Sequence, residues 1–331
     1  MTICFTGKAT KSNPKHLYIF MITDHRTVVV WRFRDGKRGH ENQTLGLLQA
    51  LGRLLPIRAL DIAVETGFSY LLNIGLKRPF LERSLPAPDL LIGAGHGTHL
   101  PLLAAARARG GRTVVLMKPS LPIRWFDLCV VPEHDNIRPC GNVFITRGVL
   151  NPMVRNDPDN KPEQGLFLIG GPSRHYGWDE DALFQQIQRI VTRESGINWI
   201  ATTSRRTPQS TARALMERKW ENLHPILHSD TSQNWLPQQL GQTRIAWVTE
   251  DSVSMIYEAL TAGAAIGLLP IPRRAASRLS LGVDRLVEDG LVTTFSHWRD
   301  GITLRYAHNE FDEAARCARW IAEHWFGSYL T

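Results

Sequence analysis

The chain has 331 residues, 43% hydrophobic and 21% charged, with a formal net charge of +8. That composition excludes a disordered, fibrous or collagen-like chain, and the length exceeds the roughly 100–200 residues of one ordinary domain, so two are expected. The four cysteines (Cys4, Cys129, Cys140 and Cys317) are scattered without a CxxC pair, which excludes a zinc ribbon or a disulfide-stapled scaffold and suits a reducing, cytoplasmic compartment.

Residues 1–26 read as a leader. Their apolar run at 17–23 is short, Asp24, His25 and Arg26 follow it, and no small-residue cleavage site is present. It is not read as a secretory signal, and Met21 is an alternative start. The first strand is expected at 27–33 (TVVVWRF), followed by a glycine loop and a helix from Glu41 to about Leu55. A second strand is expected at 57–64, an irregular or helical segment at 66–86, and a buried strand at 89–93 (DLLIG). A helix near 100–109 and strands at 112–117, 127–132 and 141–146 complete the front half. This alternation implies a parallel sheet with helices on both faces.

Residues 151–164 lack apolar periodicity, hold three prolines and read as a linker. A second α/β set is then expected over 165–307. Its strands are placed at 165–169, 198–202, 244–248 and 264–269, with helices at 179–194, 211–221 and 255–262. Residues 308–331 are read as a closing segment whose helix runs from about 309 to 325. The longest charge-free apolar stretch, 259–272, is 14 residues, too short for the roughly 20 of a membrane-spanning helix.

In open parallel sheets, ligands bind beyond the carboxyl ends of the strands. The tips here read DGKRGH, GAGHGTH, PEHD, GGPS, TTSRRT and TEDSVS, all polar. In GGPS, Gly170, Gly171 and Ser173 suit close approach of a phosphate, or an ordinary tight turn. Ser204, Arg205 and Arg206 lie at the next tip, where an arginine can clamp a pyrophosphate. Neighbours on an extended segment point apart, so one of the two is expected to reach the site. In TEDSVS, Glu250, Asp251, Ser252 and Ser254 precede or open a helix. Glu258 stands four residues after Ser254 on the same helix face, where a carboxylate suits ribose hydroxyls. Helix capping and dipole compensation explain the same residues without a ligand.

At the front, His40 is a candidate general base supported by Asp35. Gly39, Gly95, His96, Glu133 and His134 are candidates for the acceptor side of the same cleft. No P-loop, GxSxG elbow or GxGxxG is present. No third ligand joins His96 and His99, so no metal site is expected. The basic excess is confined to the front: residues 1–150 hold 20 Lys+Arg against 10 Asp+Glu, and residues 151–331 hold 19 against 21. That asymmetry points to an anionic partner for the front half, or serves solubility alone.

Residues 31–43 (WRFRDGKRGHENQ), 88–93 (PDLLIG), 126–135 (FDLCVVPEHD), 169–173, 202–208 and 248–259 (VTEDSVSMIYEA) together resemble the mitochondrial-fission ELM family. Its bacterial members are described as glycosyltransferases. The resemblance implies an α/β, GT-B-like fold: two Rossmann-like parallel-sheet domains facing across a cleft, the last helix crossing back to the first. The cleft plan is also similar to the peptidoglycan N-acetylglucosaminyltransferase group. There the matching places are 36–40, 170–173 and Glu258 with Ala262 and Gly263, although Lys37 and Arg38 stand where that group has smaller residues.

The resemblance implies a metal-independent transferase without a cofactor, taking a nucleotide-diphosphate sugar as donor. The acceptor would be lipid-linked or of lipopolysaccharide type, in cell-envelope glycan synthesis, with peripheral contact to the anionic inner face of a membrane and no nucleic-acid partner. A non-catalytic adaptor that retains the shell and a nucleotide-sugar epimerase are the alternatives.

Overall fold

The computed structural model describes residues 27–64, 85–156, 162–232, 234–275, 277–307 and 311–327. The leader, most of the segment expected at 66–86, and part of the expected linker lie outside them.

Val28 and Val30 point to one face of the first strand, β1 (Val28–Arg34), while Val29, Trp31 and Phe33 point to the other. Both faces are apolar, as in a sheet covered on each side. The following strands are β2 (Ile57–Ala63), β3 (Leu90–Ala94), β4 (Arg112–Leu116), β5 (Leu128–Pro132) and β6 (Val143–Thr146). They form a parallel six-stranded sheet in the order β2-β1-β3-β4-β5-β6. Helices α1 (Arg38–Gly52) and α2 (His99–Arg109) are its crossovers.

The second sheet repeats the plan. Leu166 and Leu168 of β7 (Gln164–Leu168) face one core, and Phe167 faces the other. Next come α3 (Glu180–Arg193), β8 (Asn198–Thr202), α4 (Gln209–Glu217), β9 (Leu223–Ile226), α5 (Trp235–Gln242), β10 (Ile245–Thr249), α6 (Val253–Thr261), β11 (Ala265–Leu269), α7 (Arg278–Glu288), β12 (Thr293–Thr294) and α8 (Phe295–Arg299). The sheet order is β12-β11-β10-β7-β8-β9, again parallel.

Helix α9 (Glu313–Phe326) follows the second sheet in sequence but packs with the first. Its buried face, Ala314, Cys317, Ala318, Ile321, Ala322 and Phe326, belongs to the same core as Val28, Leu47 and Leu51. The chain therefore crosses back, as expected. Asn151 opens the segment read as a linker, yet it is buried and donates to Thr261 Oγ1 at 3.0 Å. Among the described residues no helix is long and apolar enough to cross a membrane.

Parallel topology gathers the carboxyl ends of β1, β3 and β5 on one edge of the first sheet, and those of β7, β8 and β10 on one edge of the second. The two edges meet the same inter-sheet region. Arg278 of α7 bonds Asp135 at 3.1 Å, Arg285 lies 3.9 Å from Glu133, and Tyr257 of α6 donates to Arg147 O at 3.1 Å.

Candidate functional site

On the first sheet, β1 ends in Arg34 and the chain turns through Asp35 and Gly36 into α1. Asp35 Oδ1 accepts from Lys37 N at 3.1 Å, and its Oδ2 lies 2.7 Å from His40 Nδ1. A carboxylate only accepts, so the neutral ring carries its hydrogen on Nδ1 and keeps the Nε2 lone pair, the tautomer a general base needs. Gly95 seats the ring: a Cβ there would lie 2.2 Å from His40 Cε1, and Gly95 has φ +78. Only glycine allows both the conformation and the approach. The structure thus brings Asp35, His40 and Gly95 together. Gly39 and His96 are exposed, next in sequence to His40 and Gly95.

Helix α1 begins at Arg38, not at Glu41 as expected. Arg38 is exposed, and a base in the first turn opposes the helix dipole.

On the second sheet, the loops after β7, β8 and β10 close into one hydrogen-bonded latch. Asp251 Oδ2 accepts from Gly171 N at 3.0 Å, Arg206 NH2 at 2.7 Å and Ser252 Oγ at 3.2 Å. Arg206 NH1 donates to Gly171 O at 2.7 Å, and Gly170 N donates to Thr249 Oγ1 at 2.8 Å. Both glycine amides are taken by protein. A Cβ at Gly170 would lie 2.2 Å from Asp251 and Ser252, and one at Gly171 would lie 2.0 Å from Arg206 O. The glycines admit the close approach of Asp251, Ser252 and Arg206.

Further residues expected on the ligand also bond within the protein. The Asp251 side chain is fully buried. Ser204 closes a turn with Thr207 and accepts from Arg206 N. Ser173 Oγ accepts from His175 N and Tyr176 N. Glu250 is buried and held by Arg273 at 3.0 Å, and Arg273 also forks onto Asp284 of α7 at 2.8 and 3.0 Å. Burial pushes the Glu250 carboxyl up, against the pull of Arg273. Glu133 and His134 were expected to line the acceptor side. They sit against α7 of the second unit, with His134 Cβ 3.7 Å from a Cβ built at Gly282. Burial raises the Glu133 carboxyl and lowers the His134 imidazole.

What remains open is the start of α6. No side chain caps this helix, and Ile256 is its first residue whose amide bonds back, to Ser252 O at 3.1 Å. The amides of Val253, Ser254 and Met255 form the unsatisfied first turn to which anions bind. Ser254 is exposed there, and Arg205 is exposed beyond β8. One turn on, Glu258 keeps some accessible surface, but the protein around it pushes its carboxyl up to about 7. Burial is the main cause, and Arg38 of the first unit pulls the other way. The charge of Arg38, at the start of α1, thus reaches Glu258 on α6. The sequence reading noted Arg38 only as a departure from a pattern; its unfavourable place on the helix dipole was the signal available. Among the described residues no cluster of three or more His, Cys, Asp or Glu is arranged to hold a metal.

The profile of the mitochondrial fission ELM1 family matches residues 38–325, and the chain belongs to that family. An uncharacterized protein of Rickettsia prowazekii, RP120, is 23% identical, the match covering 88% of this chain and 97% of the relative. Among solved structures, a Listeria monocytogenes protein assigned as a UDP-N-acetylglucosamine 2-epimerase superposes with a TM-score of 0.56 at 13% identity, over 91% of this chain and 97% of that one. The calicheamicin glycosyltransferase CalG4 gives a TM-score of 0.46 at 14% identity, over 92% and 98%. The fold is GT-B-like, two parallel-sheet α/β units.

Proposed function

We propose that this family member is a glycosyltransferase that takes a nucleotide-diphosphate sugar on its second unit and passes the sugar to a saccharide acceptor on its first. The observation that carries this reading is the open first turn of α6, with Ser254 exposed on it and Glu258 one turn along, within electrostatic reach of Arg38. The amides of 253–255 and the Ser254 hydroxyl would hold the diphosphate. Arg205 would meet the charge that develops as the diphosphate leaves, and Glu258 would accept from ribose hydroxyls. Fixed donors and a guanidinium aimed at a leaving diphosphate stabilise it in the transition state more than in the ground state.

On the first unit, Asp35 fixes the His40 tautomer at 2.7 Å. His40 Nε2 would then take the proton of the acceptor hydroxyl as its oxygen attacks the anomeric carbon and the nucleoside diphosphate departs. The acceptor is proposed to be lipid-linked or of lipopolysaccharide type, and the site cytoplasmic.

The test is a turnover assay with UDP-, GDP-, ADP- and CMP-sugars in the presence and absence of lipid-linked saccharides. Acceptor-dependent release of nucleotide, reduced about 100-fold or more in His40→Ala, is expected. Conversion of a sugar nucleotide without acceptor would make the protein an epimerase, and binding without conversion would make it an adaptor.

A further inference from the structure

The chain passes from the first unit to the second after β6 and returns before α9. Tyr257 of α6 meets both crossings. Its fully buried ring lies against Gly148, where a Cβ would stand 2.3 Å from Tyr257 Cε1. Phe311, two residues before α9 begins, stacks on the same ring with centroids 5.8 Å apart and planes at 12°. The Tyr257 hydroxyl donates to Arg147 O at 3.1 Å, and Arg147 N donates to Glu313 Oε2 of α9 at 2.9 Å. The two crossings are therefore bonded to each other as well as to α6.

The helix that carries His40 meets the same segment. Gly46 of α1 lies so close to it that a Cβ there would stand 2.4 Å from Asn151 O. A glycine inside a helix weakens it relative to alanine; here it admits the backbone of the crossing. The buried Asn151 side chain reaches the other way, its Nδ2 donating to Thr261 Oγ1 at 3.0 Å and to Tyr257 O at 3.4 Å, both on α6. Residues 148–151 are thus gripped by α1 and α6 together. His40 is the third residue of α1 and Ser254 the second of α6. Gly46 and Tyr257 lie within about two turns of them.

We propose that Tyr257, Asn151 and Gly46 form a clasp that holds α1 and α6 in one relative placement, with Tyr257 as its central positioning residue. Close-packed interiors resist displacement, whereas partly exposed ion pairs hold little. This packing, more than the Arg278–Asp135 pair, keeps His40 and the first turn of α6 in register. That a sugar passes between those two places rests on the transferase reading; the clasp itself does not.

The experiment measures the distance between spin labels on Cys140, exposed in the first unit, and on Met216→Cys, an exposed position of the second, in a Cys4→Ser background of the full chain. Tyr257→Phe removes the bond to Arg147 O, and Gly46→Ala favours the helix while displacing Asn151. Each should broaden or shift the parent's distance distribution. Ile187→Val, a buried position of α3 in a different core, should leave it unchanged. In acceptor-dependent turnover, Tyr257→Phe and Gly46→Ala should each lower kcat by about 10–100-fold, with the nucleotide-sugar KM at the parent value because the first turn of α6 is untouched. A distribution that neither variant alters, or that Ile187→Val alters as much, overturns the proposal. So does turnover that is unchanged, or that falls through KM alone. If the parent turns over no sugar nucleotide, the transferase reading falls and the distance measurement alone decides the clasp.

Discussion

At Glu258, burial holds the carboxyl at about 7 while Arg38 pulls it down. The unfolded chain releases that proton near pH 4.3, so between those values the folded state binds more protons and stability falls as pH rises. His99, lowered to about 4 by burial, acts in the opposite sense across nearly the same window, so only a difference curve isolates Glu258. Melts of Glu258→Gln against the parent should coincide at pH 4 and separate by about 1–3 kcal/mol in the variant's favour at pH 8. Nucleotide binding should weaken in the same variant, the opposition expected of a residue kept for function. Asp251 should behave in the reverse way. Asp251→Ala strands the Arg206 guanidinium and the Gly171 amide and should cost about 3–5 kcal/mol in urea unfolding. Ser254→Ala should stay within about 0.5 kcal/mol and lose only binding. Gly95→Ala should mimic His40→Ala in turnover, because its methyl would occupy the ring position. The candidates Asp35, His40, Ser254 and Glu258 were legible as polar residues at strand tips. The latch was not. A glycine needed by an approaching phosphate and a glycine needed by Arg206 O look alike in a sequence, because the sequence shows the missing Cβ and not what replaces it.

Element boundaries followed the strength of the local signal. Strands with β-branched runs, such as β1 and β4, came out within a residue or so of their observed ends. The start of α1 was placed at Glu41, the first residue that suits the helix dipole, whereas the helix begins at Arg38, which does not. Strand β9 was missed because Pro225 argues against a strand. It is tolerated there because β9 is the outermost strand, with one side unpaired. Helix α5 was missed because it carries Pro237 in its first turn and Gly241 near its end. Helix α7 had a legible apolar face (Leu279, Val283, Leu286, Val287), but its capping box pairs Ser277 with Ser280 where Glu or Gln is usual. Helix α9 belongs to the core of the first sheet, so Ile321→Ala should destabilise the first unit by about 2–5 kcal/mol, as read by urea unfolding.

Across the whole molecule, two parallel sheets set their carboxyl edges toward one gap. The pairs that span it are modest: Arg285 and Glu133 at 3.9 Å, and Arg278 and Asp135 at 3.1 Å. Partly exposed pairs of this kind are worth about 0–1 kcal/mol each, so a ligand that touches both units can shift how closely they meet. Chain length predicted two units, and the β-α alternation predicted their sheets. The return of α9 could not be read from periodicity, since an amphipathic helix does not say which core it joins. The central claim is that the first turn of α6 and Glu258 form a nucleotide-diphosphate site facing Asp35 and His40. The most direct measurement is calorimetric titration of the parent, Ser254→Ala and Glu258→Ala with UDP-, GDP-, ADP- and CMP-sugars. Saturable binding of one nucleotide class by the parent, weakened about tenfold or more in each variant, is the predicted result. Equal affinity in all three proteins, or no binding of any nucleotide by the parent, would contradict it.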